Sequence, residues 1–251
     1  MTSYRNLKAP QNAGLLDKRN ENMDNLTVIK NLDLNTKQKI NTTRKNIQNL
    51  CQKFWDLSGE KYEPWKYEAT FGYFIAEYVT KLKDVSSEND IDSIFLCARR
   101  LLEVFITLKY IAQTNTFPEM MEYCQRDRFD YLEGCNARPS ADEKFFPELK
   151  GLDNYELENT KAQTAILKQY GNKKPEKMPD MKKMAISIGY EEEYNYFYKF
   201  TSKILHFCPF SLNGDVDFEH IVHKVVFLVR IAKYLEEIEK ELENIYQSIP
   251  K

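Results

Sequence analysis

The chain has 251 residues, of which 42% are hydrophobic and 29% are charged, and its formal net charge at pH 7 is -2. This near-balance argues against a dedicated, strongly basic nucleic-acid binder, although it leaves room for a local basic site. Only 8 glycines and 9 prolines interrupt the helix-forming residues, so the composition favours helices over a turn-rich β fold.

The cysteines and the N-terminal residues bear on the cellular compartment. The five cysteines are an odd number without a Cys-x-x-Cys pair, which is typical of reduced thiols in a cytosolic protein. The segment MTSYRNLKAPQNAG has no apolar signal core, and no stretch of about 18 apolar residues follows it. We therefore expect a cytoplasmic protein without a membrane span. The abundance of Lys, Asn, Ile and Tyr favours a bacterial origin.

The N-terminal quarter combines a polar stretch with two helices. Residues 1–33 are polar and Asn-rich without a sustained period, so they are predicted to form a mobile arm or a loosely docked segment. Apolar side chains then recur at spacings of three, four and seven, which predicts a helix from Thr36 to Leu57. A second helix is predicted after Pro64. Its inward face is expected to carry Phe71, Phe74, Ile75, Tyr78, Val79 and Leu82.

The third predicted helix, from Asp90 to Gln113, is apolar around most of its circumference. Such a helix is expected to be central and buried on several sides. It nevertheless carries Arg99, Arg100 and Glu103 near its middle. These charges are the first candidate site.

Further helices are predicted from capping signatures, apolar periods and breakers. Their ranges are 117–136, a short segment between Ser140 and Pro147, 155–170, a short segment between Asp180 and Gly189, 190–207 and 217–248. The segment 171–183 is predicted to be a lysine-rich loop that either contacts phosphates or is simply solvated.

These elements predict an all-α, multi-helix bundle that forms a single domain over residues 34–251. The apolar residues of the last helix lie at near-heptad spacing. This helix is therefore a predicted surface for a homodimer.

Five residues near the C-terminus share a spacing of four, which places them in one nearly axial stripe on a helix. They are Tyr190, Tyr194, Tyr198, Ser202 and His206. One interpretation is a half-buried tyrosine face that ends in a hydrogen-bonded core histidine. The other is that His206 titrates near neutral pH as a general acid and base, with Ser202 orienting it.

The charges of the third helix also allow two interpretations. Arg99 and Glu103 are four residues apart, so they can form an internal ion pair that fixes the helix register. Alternatively, Arg99 or Arg100 faces a cleft and binds a phosphate or carboxylate. Three residues of the next helix are candidates for the same ligand site: Arg126, Arg128 and Tyr131.

A metal centre was the third possibility for the polar residues. His220 and His223 are three residues apart beside Glu219, and His206 and Cys208 precede them closely. Imidazoles with a carboxylate can bind zinc. This spacing is only a weak indication of a metal site, however, because exposed polar residues are common at the start of a helix. We predict neither a metal nor a cofactor.

Three segments together resemble a bacterial family known only as a domain of unknown function. They are RRLLEVFITLKYI, RDRFDYL and YNYFYKFTSKILH. The family is characterised by an Arg-x-x-x-Glu central helix and a later Tyr-x-x-x-Ser-x-x-x-His helix. The resemblance covers about residues 60 to 230.

The chain is also distantly similar to the HEPN superfamily, all-α proteins with a histidine near a helix end. Many members are metal-independent RNases in defence and toxin–antitoxin systems, and their signature is an Arg followed by His after four to six residues. This sequence departs from the signature, because Lys199 stands seven positions before His206 and no Arg occupies the window. The resemblance implies that His206 assists attack of a ribose 2′-hydroxyl on the adjacent phosphate while Arg99 or Arg100 stabilises the developing charge.

Two functions follow as hypotheses. The first is a HEPN-like bacterial effector in phage defence or a toxin–antitoxin system, which acts on RNA or a nucleotide ligand and, if an enzyme, is a ribonuclease-type phosphodiesterase. Its predicted catalytic residues are His206, Arg99, Ser202, Tyr198 and Glu103, and its predicted ligand-binding residues are Arg100, Arg126, Arg128, Tyr131 and Lys199. The alternative is a non-catalytic helical binding or dimerisation module whose polar core is structural.

Overall fold

The computed structural model describes residues 13–58, 66–86, 91–145, 156–205 and 218–250. Within these ranges the chain forms eight α-helices and no β-strand, so the predicted all-α class is confirmed. The helices are α1 (Ala13–Ser58), α2 (Lys66–Lys81), α3 (Ile91–Thr114), α4 (Met120–Phe145), α5 (Glu156–Gln169), α6 (Met181–Ser187), α7 (Glu191–Leu205) and α8 (Phe218–Ser248). None of these helices combines the length and the apolar character that crossing a membrane requires.

Two helices are longer than predicted. Helix α1 begins at Ala13 and so extends through most of the segment 1–33 that we predicted to be a polar arm. No described side chain between 28 and 35 is buried, so this part of the helix lacks the apolar face on which the prediction relied. Helix α4 continues to Phe145 without the predicted break before Ser140. The capping signature there is a local signal that does not interrupt the helix.

The chain divides into two compact units. Unit 1 comprises the described residues within Met1–Asn49, Tyr78–Phe105 and Tyr196–Lys240. Unit 2 comprises those within Leu50–Glu77, Ile106–Asn195 and Glu241–Lys251. Five helices, α1, α2, α3, α7 and α8, contribute residues to both units. The single-domain organisation over 34–251 stays a prediction.

An aromatic core joins α3, α7 and α8 in unit 1. The ring of Phe227 lies 4.2 Å from that of Phe95 and 5.1 Å from that of Phe197, measured between centroids. Phe105 stacks on Tyr234 at 6.1 Å. Phe105, Phe197 and Phe227 are completely buried. Burial of such large apolar side chains is the main favourable contribution to folding here.

In the same unit, an arginine of α1 binds the C-terminal end of α2. The Arg44 guanidinium donates hydrogen bonds to the carbonyl oxygens of Thr80 at 3.1 Å and Leu82 at 2.7 Å. The last carbonyls of a helix have no partner within it, and a cation there also interacts favourably with the helix dipole. Arg44 therefore caps α2 from a neighbouring helix.

In unit 2, α4 packs on α5 and holds the lysine-rich loop. Phe129 and Leu132 of α4 bury their side chains against Ile166 of α5. Helix α5 ends where predicted, since Gly171 and the following Asn172 adopt left-handed φ values of 64° and 62°. The predicted cap of α6 is also confirmed, because the Asp180 carboxylate accepts a hydrogen bond from the backbone N–H of Lys183 at 2.9 Å.

Candidate functional site

The central observation in unit 1 is a contact between α3 and α7 made by Arg99. Its Nε donates a hydrogen bond to Glu103 Oε1 at 3.2 Å, and its guanidinium carbon lies 4.4 Å from the ring centroid of Tyr198. The Arg99 side chain is 18% exposed and the Glu103 side chain 38% exposed. The predicted internal ion pair is thus present. The structure also brings three of the predicted site residues together.

The direction of the helices explains why these residues meet. Phe95 of α3 contacts Phe200 of α7 at 5.9 Å, whereas Arg99, one turn later on α3, contacts Tyr198, which precedes Phe200. The two helices are therefore antiparallel in unit 1. Residues 95 and 99 lie on one side of α3 because a spacing of four places side chains one above the other.

Arg100, the neighbour of Arg99, is exposed and has a different partner. Its Nη1 donates a hydrogen bond to the Tyr78 hydroxyl at 2.9 Å. This hydrogen bond raises the pKa of Arg100 above its ordinary value, so the group stays a cation at every physiological pH. Arg100 therefore presents a fixed positive charge at the surface, where a phosphate can reach it.

Tyr78 was not predicted to belong to a site. The spacing of α2 had placed Phe74 and Tyr78 on its inward face, but they are 58% and 38% exposed, and that prediction is wrong. Phe71 and Val79 of the predicted inward face are buried, and the rest of the buried face carries the small residues Ala69, Gly72 and Ala76. Apolar periodicity counts tyrosine as an apolar residue, so it does not indicate that the Tyr78 hydroxyl lies at the surface and contacts an arginine of another helix.

The tyrosine stripe of α7 is partly confirmed. Tyr198 is 37% exposed, while Tyr190 and Tyr194 are partly buried, so the predicted half-buried tyrosine face is present. In unit 2, the Lys109 ammonium lies 5.2 Å from the ring centroid of Tyr190. The Ser202 side chain and all of His206 lie outside the described residues, so their contact and their roles stay predictions.

A second guanidinium–tyrosine contact lies on the other side of α7, and the sequence did not indicate it. The guanidinium carbon of Arg230 on α8 lies 5.0 Å from the ring centroid of Tyr196. Tyr196 stacks on Phe200 at 6.1 Å, and Phe200 contacts the His223 ring at 5.3 Å. Arg230 and His223 are seven residues apart on α8, about two helical turns, so both can face the same side of α7.

The predicted ligand residues on α4 belong to unit 2. Arg126 Nε donates hydrogen bonds to both carboxylate oxygens of Asp130 at 2.9 and 3.1 Å, and its Nη1 donates to the carbonyl oxygen of Pro175 at 3.2 Å. Arg128 is exposed, and Tyr131 is 71% exposed. Arg126 thus has a structural partner set. A ligand role for these three residues stays a prediction.

The lysine-rich loop is anchored on α4 rather than simply solvated. Lys174 Nζ lies 3.0 Å from Glu133 Oε1, and the backbone N–H of Glu176 donates to Glu122 Oε1 at 2.7 Å. Pro175, between them, is buried. The lysine side chains of the loop are nevertheless exposed, as expected of long charged side chains.

The described residues contain no group of three His, Cys, Asp or Glu side chains that could bind a metal. His206 and Cys208 are outside these residues, as is the side chain of His220. None of the four cysteines that the structure describes forms a disulfide. Burial raises the pKa of the Cys97 thiol to about 11, which keeps it protonated and unreactive at neutral pH.

Comparisons with known proteins give a family but no function. Residues 84–223, more than half of the chain, match a family described as a family of unknown function, DUF5677. The matched range contains α3 to α7 and the start of α8. No curated protein matches the chain, and neither does any solved structure.

Proposed function

We propose that this chain, which belongs to the DUF5677 family of unknown function, is a HEPN-like effector of phage defence or a toxin–antitoxin system that binds and cleaves RNA. In this proposal the α3–α7 face of unit 1 contacts the phosphates. The observation that carries it is the position of Arg99 against Tyr198, at 4.4 Å. Arg100 of α3 and Lys199 of α7 directly follow the two residues of this contact in the sequence, and both are exposed.

The residues of this face have distinct roles in the proposal. Arg100 binds a phosphate, because it is exposed and its guanidinium is oriented by Tyr78. Lys199 adds a second cation. Arg99 is a positioning residue, since Glu103 and Tyr198 already hold its side chain.

The proposed reaction needs no metal. His206 removes the proton of a ribose 2′-hydroxyl, and the oxygen attacks the adjacent phosphorus. The bond to the 5′-oxygen breaks, and that oxygen takes up a proton from a water molecule. The products are a 2′,3′-cyclic phosphate and a 5′-hydroxyl end. Arg100 stabilises the additional negative charge of the phosphorane-like transition state.

The experiment uses the purified full chain with end-labelled RNA in the presence of EDTA. We expect cleavage by the wild type and loss of at least about 100-fold in rate for His206→Ala, since a general base contributes about 10²–10⁴-fold. Arg100→Gln is expected to weaken RNA binding about tenfold, the equivalent of about 1.4 kcal/mol. Lys45→Gln, at an exposed lysine of α1 in the same unit, is the matched control.

Circular dichroism of each variant excludes unfolding as the cause. Cleavage that persists in His206→Ala would contradict the catalytic part of the proposal. Equal RNA affinity of Arg100→Gln and Lys45→Gln would contradict the binding part.

One observation favours the non-catalytic alternative. Arg99, the more buried of the two arginines, is paired within the chain by Glu103 and Tyr198, so its charge is compensated without a ligand. The apolar stripe of α8 is also buried within the chain, including Leu228, Ile231 and Leu235 at 0% exposure. A homodimer through α8 would therefore use its polar side. Absence of RNA binding together with a stable oligomer in light scattering would support this alternative.

A further inference from the structure

The side of α7 that faces α8 carries a row of three rings and one arginine that the proposed function leaves unused. We call it the α8 edge, and it consists of Arg230, Tyr196, Phe200 and His223. The successive contacts are 5.0 Å from Arg230 to the Tyr196 ring, 6.1 Å from Tyr196 to Phe200 and 5.3 Å from Phe200 to His223. Tyr196 is 47% exposed, and Arg230 and His223 are partly exposed.

Three consecutive aromatic residues place the two arginines on opposite sides of α7. Phe197 is completely buried and points to the core, where it contacts Phe227 and Tyr234. Each residue of a helix is rotated by about 100° from the last, so Tyr196 and Tyr198 leave the helix on either side of Phe197. Arg230 meets the first and Arg99 meets the second.

Lys199 completes this arrangement on the outer side of the helix. It follows Phe197 by two positions, a rotation of about 200°, which places it nearly opposite the core. Its side chain is exposed. The surface of α7 in unit 1 therefore has a cation at its centre and an arginine–tyrosine pair along each side.

The width of this surface limits what can bind it. A helix with its side chains is about 10–12 Å across, so a single phosphate cannot contact both Arg100 on α3 and Arg230 on α8. A ligand with successive phosphates can. Its bases would meet tyrosine rings and guanidinium planes, on which unpaired bases stack, whereas a duplex keeps its bases inside.

We infer that the RNA is bound as a single strand that crosses α7, with phosphates on Arg100, Lys199 and Arg230. This inference rests on the proposed function and adds to it the strandedness of the RNA and a second contact edge. It also makes Arg230 a ligand-binding residue.

The salt dependence of affinity tests the crossing directly. Each phosphate contact to a single strand contributes about 0.7 to the slope of log affinity against log salt concentration. A 2′-O-methylated, fluorescent single strand of about 12 nucleotides cannot be cleaved by 2′-hydroxyl attack and suits anisotropy titrations. The variants are Arg100→Gln, Arg230→Gln and the double variant, with Lys45→Gln as the control.

We expect each single variant to lower the slope by about 0.7, the double variant by about 1.4 and the control not at all. Arg230→Lys keeps the charge and is expected to keep the slope, although it alters the contact with Tyr196. An unlabelled RNA duplex of the same length is expected to compete more weakly than the single strand.

The outcomes separate this inference from the proposed function. An unchanged slope in Arg230→Gln with a reduced slope in Arg100→Gln would overturn the crossing and leave RNA binding at the α3 side intact. If the duplex competes as well as the single strand, the inference that the RNA binds as a single strand is wrong. Absence of any binding by the wild type would overturn the proposed function itself. If Arg230→Gln does not fold, Tyr196→Leu tests the same edge, because it removes the exposed ring against which Arg230 lies, and an unchanged affinity for the single strand would overturn the crossing.

Discussion

Two arginines with the same local pattern have different surroundings in the two units. Arg99 in unit 1 and Arg126 in unit 2 each bind a carboxylate four residues later, and their side chains are 18% and 22% exposed. Their contacts outside their own helix differ. Arg99 lies against the ring of Tyr198 on another helix, whereas Arg126 donates to the backbone carbonyl of Pro175 in a loop.

This difference separates the two roles that a partly buried arginine can have. A backbone carbonyl is a fixed acceptor, so Arg126 anchors the loop 171–180 on α4 as a structural element. A tyrosine ring attracts the guanidinium through its face without accepting an N–H bond. The local pattern alone predicts the ion pair in both cases, and only the contact outside the helix distinguishes an anchor from a surface contact.

The largest expected effect tests whether the Arg99–Tyr198 contact rests on a packed core. Phe197 precedes Tyr198 and is completely buried against Phe227 and Tyr234. Replacement by Ala removes a large apolar side chain and leaves a cavity. We expect Phe197→Ala to lower the free energy of unfolding by about 3–5 kcal/mol. Chemical denaturation followed by circular dichroism measures it.

Lys199→Ala is the matched control, because Lys199 is an exposed residue two positions further along the same helix. Its effect on the free energy of unfolding is expected to stay within about 0.5 kcal/mol. A loss below about 1 kcal/mol for Phe197→Ala would mean that α7 is not held by this core, since buried Phe to Ala changes cost far more.

The second effect concerns the loop anchor of unit 2. Arg126→Met keeps much of the side-chain volume but removes the hydrogen bonds to Asp130 and Pro175. Hydrogen bonds to charged groups contribute about 1.5–3 kcal/mol, so we expect a loss of that order in the free energy of unfolding. Amide exchange of residues 172–177, followed by mass spectrometry, is expected to become faster.

Arg128→Met separates this anchor from the general effect of removing a charge from α4. Arg128 is exposed on the same helix, so its replacement is expected to change the free energy of unfolding by at most about 0.5 kcal/mol. Amide exchange in the loop is expected to stay unchanged. Unchanged exchange in Arg126→Met would show that Lys174 and Glu176 hold the loop without Arg126.

The sequence predicted the contacts that lie within one helix and missed those that depend on its neighbours. The Arg99–Glu103 pair and the Asp180 cap follow from spacings of four and three, and both are present. The burial of α2 follows only in part from its large apolar residues, because Phe71 is buried as predicted whereas Phe74 is exposed. A side chain at Gly72 would place its Cβ 2.6 Å from the buried ring of Phe54, so close helix packing selects a small residue there and leaves Phe74 exposed.

The start of α1 shows a related limit of apolar period. The periodicity of apolar residues indicates the buried face of a helix, so it does not predict a helical segment that has no buried face. Val28 and Leu34 are 64% and 57% exposed, and the first buried residue described in α1 is Thr36, the residue at which the helix was predicted to begin. The Arg230–Tyr196 contact was missed for another reason, since it joins two helices and no spacing within one chain segment encodes it.

The smallest expected effect measures the Arg99–Tyr198 contact itself. A double-mutant cycle with Arg99→Met and Tyr198→Leu isolates the energy between the two side chains from their other contacts. A guanidinium over an aromatic ring at a partly exposed position is expected to contribute about 0.5–1 kcal/mol. Denaturation of the wild type, both single variants and the double variant gives this coupling energy.

Arg99→Lys refines the cycle, because lysine keeps the charge but loses the planar guanidinium that lies against the ring. A coupling energy near zero would mean that Arg99 and Tyr198 are adjacent without holding α3 to α7. The measured value also bears on function. A contact of about 0.5–1 kcal/mol is small beside the loss expected from Phe197→Ala, so this contact contributes little to keeping the unit folded. If Arg99→Met reduces the free energy of RNA binding by more than it reduces the free energy of unfolding, the role of Arg99 is to position the neighbouring cations rather than to stabilise the protein.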